Sequence, residues 1–228
     1  KNELASYAYA KNNIIPRAVA ELKRKIKGVS IITDVCLCAY TSHGHCGILN
    51  KKKKIDNKKT LEALSKTALL HAASGADWVA PSAMAKKQVL AIRNALDKNG
   101  FSNVKVIGYS AKFASNFYGP FRDAADSAPK FGDRKAYQLD YGDAKKALRE
   151  IRDDIQEGAD MVMVKPALCY LDIIRGARMG FAQPLAAPRR IGSASAPLLA
   201  AYNTSGEYAF VKMGANIGLW QEKEVVFE

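Results

Sequence analysis

The chain has no run of about eighteen apolar residues, the length at which a transmembrane helix is expected. Its N-terminus has no basic segment followed by an apolar one, as a secretory signal would. Only 4 cysteines and 3 histidines occur among 228 residues, and three of the cysteines are clustered. These shortages predict a protein without a membrane partner, in a reducing compartment such as the cytoplasm. A plastid location stays open because the sequence begins at Lys1 rather than at methionine.

What is abundant is positive charge, with a formal net charge of +13 and a lysine run from Lys51 to Lys54. Clustered lysines can neutralise the phosphates of nucleic acids. No aromatic residues interleave this run, and no helix-turn-helix or base-stacking motif accompanies it. We therefore interpret the run as a solvated loop and expect no nucleic-acid partner. The excess charge could instead draw small anionic substrates towards a cleft.

Apolar residues alternate between helical and strand patterns along the chain. Two segments repeat the same order, because Gly75-Ala76-Asp77 precedes one apolar strand and Gly158-Ala159-Asp160 precedes another. Such alternation predicts parallel βα units of an α/β protein. The pattern fits both a TIM (β/α)₈ barrel and a doubly wound sheet, since both place reactive groups at the carboxyl ends of the strands. The predicted strands are residues 29–35, 78–80, 104–109, 161–164 and 198–201. The predicted helices are residues 14–26, 60–74, 84–98, 143–157 and 207–217, and a further helix is predicted to begin at residues 171–175.

Two stretches do not fit this alternation. Residues 113–141 are rich in Gly, Pro, Ser and Asp, and a connection of this length is typical of a functional lid. Residues 176–197 are small, basic and proline-containing, and we predict an atypical insertion or loop there.

The segment DVCLCAYTSHGHCG, residues 34–47, concentrates groups that bind metals. Cys36 and Cys38 are two residues apart at a strand end, and Cys46 returns after a turn. Three thiolates can hold a zinc ion and leave a fourth position open, whereas His43 or His45 could complete a structural site. The alternative is that the cysteines are only small buried apolar residues. Their density next to two histidines favours the metal.

Lys112 and Lys165 each end an apolar strand. Desolvation there should lower the pKa of an ammonium group, and a neutral amine can form a Schiff base with a ketone. The alternative is a lysine that simply emerges into solvent. In the long connection, Arg122, Arg134 and Lys135 could hold a substrate carboxylate or could be ordinary surface charges.

Four long segments of the chain carry a resemblance to a known family: DVCLCAYTSHGHCGIL, YSAKFASNFYGPFRDAADSAPKFGDRKAYQ, EGADMVMVKPALCYLDIIR and AAYNTSGEYAFVK. They closely resemble the porphobilinogen synthase family, also called the 5-aminolaevulinate dehydratase family. The resemblance implies a TIM barrel that condenses two 5-aminolaevulinate molecules into porphobilinogen, a tetrapyrrole precursor. It also implies an octamer built from dimers, and it raises an allosteric Mg²⁺ as a second metal.

The resemblance also implies a role for individual residues. Lys165 would form the principal Schiff base and Lys112 the second. Zn²⁺ would be bound by Cys36, Cys38 and Cys46, and Asp34 would lie in the active site beside it. The residues implied in substrate binding are Arg122, Arg134, Gln138, Ser205, Tyr118 and Ser82.

The chain departs from the family pattern in places. Ala83 follows Ser82 where the family has an acidic residue, and Ala85-Lys86-Lys87 replaces an acidic, glycine-containing continuation. We expect residues 1–228 to be a single, partial TIM-barrel domain with five βα units, strands three to seven, so that two strands would precede Lys1 and one would follow Glu228. These departures motivate an alternative function, a non-catalytic homologue that keeps the zinc loop as a binding or assembly element. A different Schiff-base lyase on the same barrel is a weaker alternative, because the three cysteines argue against it.

Overall fold

The structure is a computed structural model that describes residues 1–180 and 197–228. A five-stranded sheet forms its centre, all neighbouring strands are parallel, and their spatial order follows the chain. This arrangement confirms the predicted α/β class. The strands are β1 Ile32–Val35, β2 Trp78–Pro81, β3 Lys105–Lys112, β4 Met161–Lys165 and β5 Leu198–Ala201. The helices are α1 Ile14–Lys25, α2 Asn57–Ala73, α3 Gln88–Lys98, α4 Gly119–Ala124, α5 Ala144–Gln156, α6 Leu171–Gly180, α7 Ser205–Asn216 and α8 Glu222–Phe227.

Helices cover one face of the sheet and bury its main core. Helix α5 shows why, because its apolar residues Ala147, Ile151 and Ile155 recur every four positions and are all buried. Its N-terminus is capped by Asp143, whose side chain accepts a hydrogen bond from the backbone N–H of Lys146. The opposite face, here called the concave face, holds a small separate cluster of Ala80, Ile107 and Tyr109.

The repeated Gly-Ala-Asp segments have a common structural role. Gly75 and Gly158 end their helices with φ values of 102° and 101°, a conformation that favours glycine. Asp77 then accepts a hydrogen bond of 2.7 Å from the N–H of Ile31, just before β1. Asp160 likewise accepts one of 2.8 Å from the N–H of Val106 in β3. Each aspartate therefore fastens its own strand to the preceding one.

Strand β3 has one extra residue between Gly108 and Ala111 relative to the stretch of β4 that pairs with it. Gly108 pairs with Val162 and Ala111 with Val164, so three steps along β3 match two steps along β4. Such a bulge changes which side chains face each side of the sheet. As a result Tyr109 and Lys112 both reach the concave face, although strict alternation over three positions would place them on opposite faces.

Several predicted boundaries were wrong. Strand β1 begins at Ile32, not at residue 29, and α3 begins at Gln88, not at residue 84. The start of α3 is delayed because Met84 and Lys87 have φ values of 59° and 63°, outside the helical region.

The loop predicted at residues 176–197 was wrong at its beginning, because α6 continues to Gly180 and buries Ala177. Residues 181–196 of that prediction lie outside the described residues. The long connection contains a 3-10 turn at Asn116–Tyr118 followed by α4. In residues 1–180 and 197–228, no helix is both long and apolar enough to cross a membrane.

Candidate active site

Lys112 and Lys165 lie side by side at the carboxyl ends of β3 and β4. They are direct register partners, and paired residues of parallel strands point to the same face. Lys112 is buried, and its Nζ donates a hydrogen bond of 2.6 Å to the carbonyl oxygen of Ser82, just after β2. Two amines from neighbouring strands therefore share one region of the concave face.

Aromatic rings surround the Nζ of Lys165. Desolvation, together with the positive charge of Lys112, lowers the pKa of Lys165 from 10.5 to about 8. At pH 7 roughly a tenth of the Lys165 side chains are then free amines, about 300-fold more than for an ordinary lysine. The ring centroids lie 3.6, 5.3, 5.7 and 5.9 Å from Nζ and belong to Tyr202, Tyr109, Tyr118 and Phe121, in that order.

Asp34 points to the same face from β1. Its carboxylate accepts a hydrogen bond from the Ser82 hydroxyl and interacts with the charges of both lysines. The concave face is open to solvent at this point, but the surrounding atoms still desolvate the carboxylate. That desolvation and the nearby Cys36 raise the pKa of Asp34 to about 6, against the opposing effects of Ser82 and the lysines. A carboxyl group of this pKa can exchange protons near neutral pH.

The three clustered cysteines form a compact group of sulfur atoms. The Sγ atoms of Cys36, Cys38 and Cys46 lie within 4.8 Å of one another, and all three residues are buried and unbridged. Hydrogen bonds from Cys36 and Cys38 hold the pKa of the Cys46 thiol well below its usual range. The hydrogen bonds shared with Cys36 and Cys46 raise the pKa of Cys38 well above that range. A set of three soft sulfur donors fits a metal ion.

The two histidines of this loop do not join the sulfur cluster. Within the described part of the chain, the only group that could hold a metal consists of the three cysteines. The Nδ1 atom of His45 lies 3.2 Å from the Tyr137 hydroxyl, and its Nε2 atom lies 3.1 Å from the carbonyl oxygen of Phe131. The Nδ1 atom of His43 accepts a hydrogen bond from the N–H of His45. Both ring nitrogens of His45 therefore have protein partners, and neither histidine belongs to the described group of ligand atoms that lie within 4.8 Å of one another.

Arg122, Arg134 and Gln138 line a single cavity of about 360 Å³. The Nε atoms of both arginines and both amide atoms of Gln138 are buried there without a hydrogen-bond partner in the described structure. Leaving such groups unpaired is costly, so the cavity suits a polar ligand. Burial and the neighbouring Arg134 lower the pKa of Arg122, as expected for like charges held together, and this pair selects an anion. Arg134 also lowers the pKa of Cys46, so the cavity adjoins the sulfur cluster.

Ser205 and Tyr118 lie on the side of the site that contains Lys165. The Ser205 hydroxyl accepts a hydrogen bond of 3.0 Å from the N–H of Phe121 and donates one of 3.4 Å to the carbonyl of Phe117. The Tyr118 hydroxyl lies 3.1 Å from the carbonyl oxygen of Lys165. Tyr118 therefore links the start of the long connection to the end of β4, and Ser205 links it to the start of α7.

Three site residues were missed by the sequence reasoning. Tyr202 directly follows β5 and covers Lys165, so the rule that selected the lysines at strand ends would have found it. Tyr109 could not be found by alternation because of the bulge in β3. Tyr137 contacts the loop of residues 36–46, which contains the three clustered cysteines, only through tertiary hydrogen bonds, which leave no periodic signal.

Ala83 is buried directly after Ser82 and lines a cleft of about 800 Å³ that also reaches Cys46 and Tyr109. Its methyl group stands where the resemblance implies an acidic side chain. Asp34, which interacts with both lysines, is therefore the acidic group that we assign to the site.

Comparison with known proteins connects this geometry to one family. The family described as delta-aminolevulinic acid dehydratase matches residues 1–228. The chain belongs to the delta-aminolevulinic acid dehydratase family.

Curated members of the dehydratase family include a protein of Archaeoglobus fulgidus, 50% identical over 228 residues, and one of Bacillus subtilis, 45% identical over 228 residues. Both alignments cover 100% of this chain and 66% of the relative, so the chain spans about two thirds of the length of these dehydratases. A crystal structure of the Toxoplasma gondii dehydratase, in complex with the reaction product porphobilinogen, superimposes with a TM-score of 0.90 at 40% identity. That match covers 100% of this chain and 61% of the parasite protein.

Proposed function

We propose that this chain carries the active site of a porphobilinogen synthase, which joins two molecules of 5-aminolaevulinate into porphobilinogen and releases two molecules of water. The observation that carries this proposal is the register pairing of Lys112 with Lys165 on the concave face, beside the three thiols. The product bound to the Toxoplasma gondii relative supports the reaction. The unpaired polar atoms of the arginine cavity favour an enzyme over a non-catalytic homologue, because they lack partners until a ligand is bound.

Lys165 is the proposed nucleophile. Its free amine attacks the ketone carbon of the first substrate, and the two amine hydrogens leave with the carbonyl oxygen as water when the imine forms. The lowered pKa supplies the free amine at neutral pH. The face of the Tyr202 ring, 3.6 Å away, then stabilises the positive charge of the protonated imine.

Lys112 is proposed to form the second Schiff base, and Asp34 to move protons. The hydrogen bond to Ser82 fixes the direction of the Lys112 side chain. The charge of Lys112 also contributes to the lowered pKa of Lys165. Asp34, with a pKa of about 6, can take a proton from one intermediate and return it to another without leaving the site.

Cys36, Cys38 and Cys46 are proposed to hold Zn²⁺. Three buried sulfur donors fit zinc, and a set of three protein ligands would allow a substrate to bind to the ion as well. When bound, Zn²⁺ supplies Lewis-acid polarisation of a carbonyl group. The chain's own contribution is to keep the thiols close together, desolvated and next to Lys112, whose charge lowers the pKa of Cys46.

The two substrate carboxylates are proposed to occupy opposite sides of this centre. Arg122, Arg134 and Gln138, here called the carboxylate clamp, would hold one of them beside the thiols. Ser205 would donate its hydroxyl hydrogen to the other near Lys165, in exchange for its present hydrogen bond to the carbonyl oxygen of Phe117.

The five strands are proposed to be strands three to seven of a TIM barrel in a single domain, residues 1–228. The close superposition on the Toxoplasma gondii dehydratase supports this assignment. An octamer built from dimers and an allosteric Mg²⁺ stay predictions of the family resemblance. The cytoplasm is the proposed location, since three free thiols within 4.8 Å of one another suit a reducing compartment.

Reductive trapping tests the function. We expect borohydride, added to the zinc-loaded protein with 5-aminolaevulinate, to fix a substrate adduct on Lys165 that mass spectrometry locates. Lys165→Arg should abolish the adduct. Lys105→Arg is the matched control, because it changes a lysine at the opposite end of β3. A folded, zinc-loaded protein whose Lys165 stays unmodified would exclude this mechanism.

A further inference from the structure

The loop of residues 36–46, here called the metal-binding loop, is joined to the long connection of residues 113–141 by hydrogen bonds. These hydrogen bonds meet at Tyr137. The Tyr137 hydroxyl lies 3.4 Å from the backbone nitrogen of Cys46, which donates to it, and 3.2 Å from Nδ1 of His45. The other ring nitrogen of His45 lies 3.1 Å from the carbonyl oxygen of Phe131. The backbone N–H of Lys130 donates to the carbonyl of His43. The connection is thus fastened to the loop that carries the third thiol.

The donors and acceptors in this chain of bonds have one consistent direction. The Phe131 carbonyl can only accept, so the hydrogen of the neutral His45 ring lies on Nε2. Nδ1 is then an acceptor and receives the hydroxyl hydrogen of Tyr137. The oxygen of Tyr137 is left to accept the N–H of Cys46. Only a hydroxyl can both donate and accept here, so phenylalanine at this position would break both bonds.

Tyr137 also lies within the carboxylate clamp. The backbone N–H groups of Tyr137 and Gln138 both donate to the carbonyl of Arg134, at 3.2 and 2.9 Å. The guanidinium of Arg134 donates a hydrogen bond of 3.0 Å to the carbonyl of Gly44, two residues before Cys46. The clamp and the metal-binding loop are therefore linked twice, through Tyr137 and through Arg134.

We propose that Tyr137 is a positioning residue that couples metal binding at the three thiols to the ordering of the carboxylate clamp. A metal ion on Cys46 fixes the backbone of that residue, its N–H fixes the Tyr137 hydroxyl, and residues 131–138 become less free to move. Such coupling is reciprocal, so a ligand in the clamp strengthens metal binding by the same factor. The identities of metal and ligand rest on the proposed function, but the coupling itself does not require catalysis.

Hydrogen exchange with Zn²⁺ as the only ligand tests the coupling. In the native protein, we expect zinc to slow amide exchange in residues 36–46 and also in residues 130–139. In Tyr137→Phe, zinc should still slow exchange in residues 36–46, while its effect on residues 130–139 falls by about fivefold or more. Tyr7→Phe is the matched control, because it removes a hydroxyl that bonds to the carbonyl of Asn12 instead.

Two further measurements separate positioning from general stability. The absorption spectrum of bound Co²⁺ should be the same in Tyr137→Phe as in the native protein, because the three sulfur ligands are unchanged. The KM for 5-aminolaevulinate should rise by about fivefold or more, with a smaller change in kcat. Equal zinc protection of residues 130–139 in the native and Tyr137→Phe proteins, or none in either, overturns the coupling. Absence of the Lys165 adduct from the zinc-loaded native protein would instead overturn the proposed function.

Discussion

Lys112 and Lys165 are register partners at the ends of adjacent parallel strands, so each amine lies in the electrostatic field of the other. Their surroundings differ, because Lys112 donates a short hydrogen bond to the carbonyl of Ser82, whereas Lys165 faces aromatic rings. Desolvation favours the free amine of Lys165. The pair therefore combines one amine held in place by a hydrogen bond with one whose lowered pKa suits it to attack first.

Trapping of substrate on Lys165 should depend on pH with a midpoint near 8. Because the free amine reacts, the rate of borohydride-dependent labelling should rise about tenfold between pH 6 and pH 7 and level off above the midpoint. Lys112→Met removes a positive charge that lowers this pKa, so the midpoint should move to higher pH and labelling at pH 7 should slow. Lys105→Met should leave the midpoint in place. An unchanged midpoint in Lys112→Met would show that the neighbouring charge is not important.

Asp34→Asn should make the protein more stable at alkaline pH and less active. The pKa of Asp34 is raised from 3.8 to about 6 in the folded state, so its stabilising proton is fully present below about pH 4 and is lost as the pH rises through 6. The melting temperature of Asp34→Asn should therefore exceed that of the native protein at pH 8 and match it near pH 4. Turnover should fall by roughly 10²–10⁴-fold through loss of the proton carrier. The exposed Asp172→Asn serves as the control, and a similar gain at both pH values would refute the assignment.

Removal of the metal should lower the melting temperature reversibly. A metal present at 100 times its dissociation constant stabilises the folded state by about 2.7 kcal/mol, so a chelator should lower the transition and added Zn²⁺ should restore it. Cys46→Ser should abolish both the shift and the binding of one equivalent of metal. Cys169→Ser, which changes the exposed thiol, should affect neither. Equal zinc content in the native protein and Cys46→Ser would exclude the three-thiol site.

Lys87→Gly should stabilise the protein by about 1 kcal/mol. Lys87 is an exposed residue with φ 63° at the start of α3, where a side chain is strained and glycine is not. Lys86→Gly is the matched control, since Lys86 is not among the residues with positive φ, and it should lower stability instead. Chemical denaturation of the two variants provides the measurement, and the expectation fails if both change stability in the same direction.

Much of the fold was accessible from the sequence because local patterns agree with the sheet. The predicted strand at residues 198–201 matches β5, and the glycine caps before Asp77 and Asp160 end their helices as expected. Helix α8 was not predicted, and the starts of β1 and α3 were misplaced. The sequence around Met84 and Lys87 has a helical pattern, but the positive φ angles of these two residues are incompatible with a helix. The composition of the segment does not reveal such angles.

The candidate site was predictable where the residue types and their local positions in the sequence are sufficient. It was not predictable where residues distant in the sequence have to come together. Lysines at strand ends and clustered cysteines are visible in the sequence, and in the structure the two lysines are register partners and the three sulfur atoms lie close together. The positions of Arg122, Arg134 and Gln138 around one cavity depend on the path of a connection of 29 residues. The resemblance named these residues, but the links from Tyr137 to Cys46 and His45 require coordinates.

The bulge that accommodates the extra residue in β3 allows Tyr109 to lie next to Lys165, so the pairing of this strand affects the site. Deleting Ser110 alone would leave the composition of the concave face unchanged and would restore regular pairing between β3 and β4. Tyr109 would keep its face, because it would then lie two positions from Lys112, the spacing at which side chains of a regular strand point to the same side. A one-residue gap in an alignment at this point would therefore be compatible with the aromatic wall beside Lys165, whereas regular pairing that retained Ser110 would turn Tyr109 to the side of the sheet covered by α5.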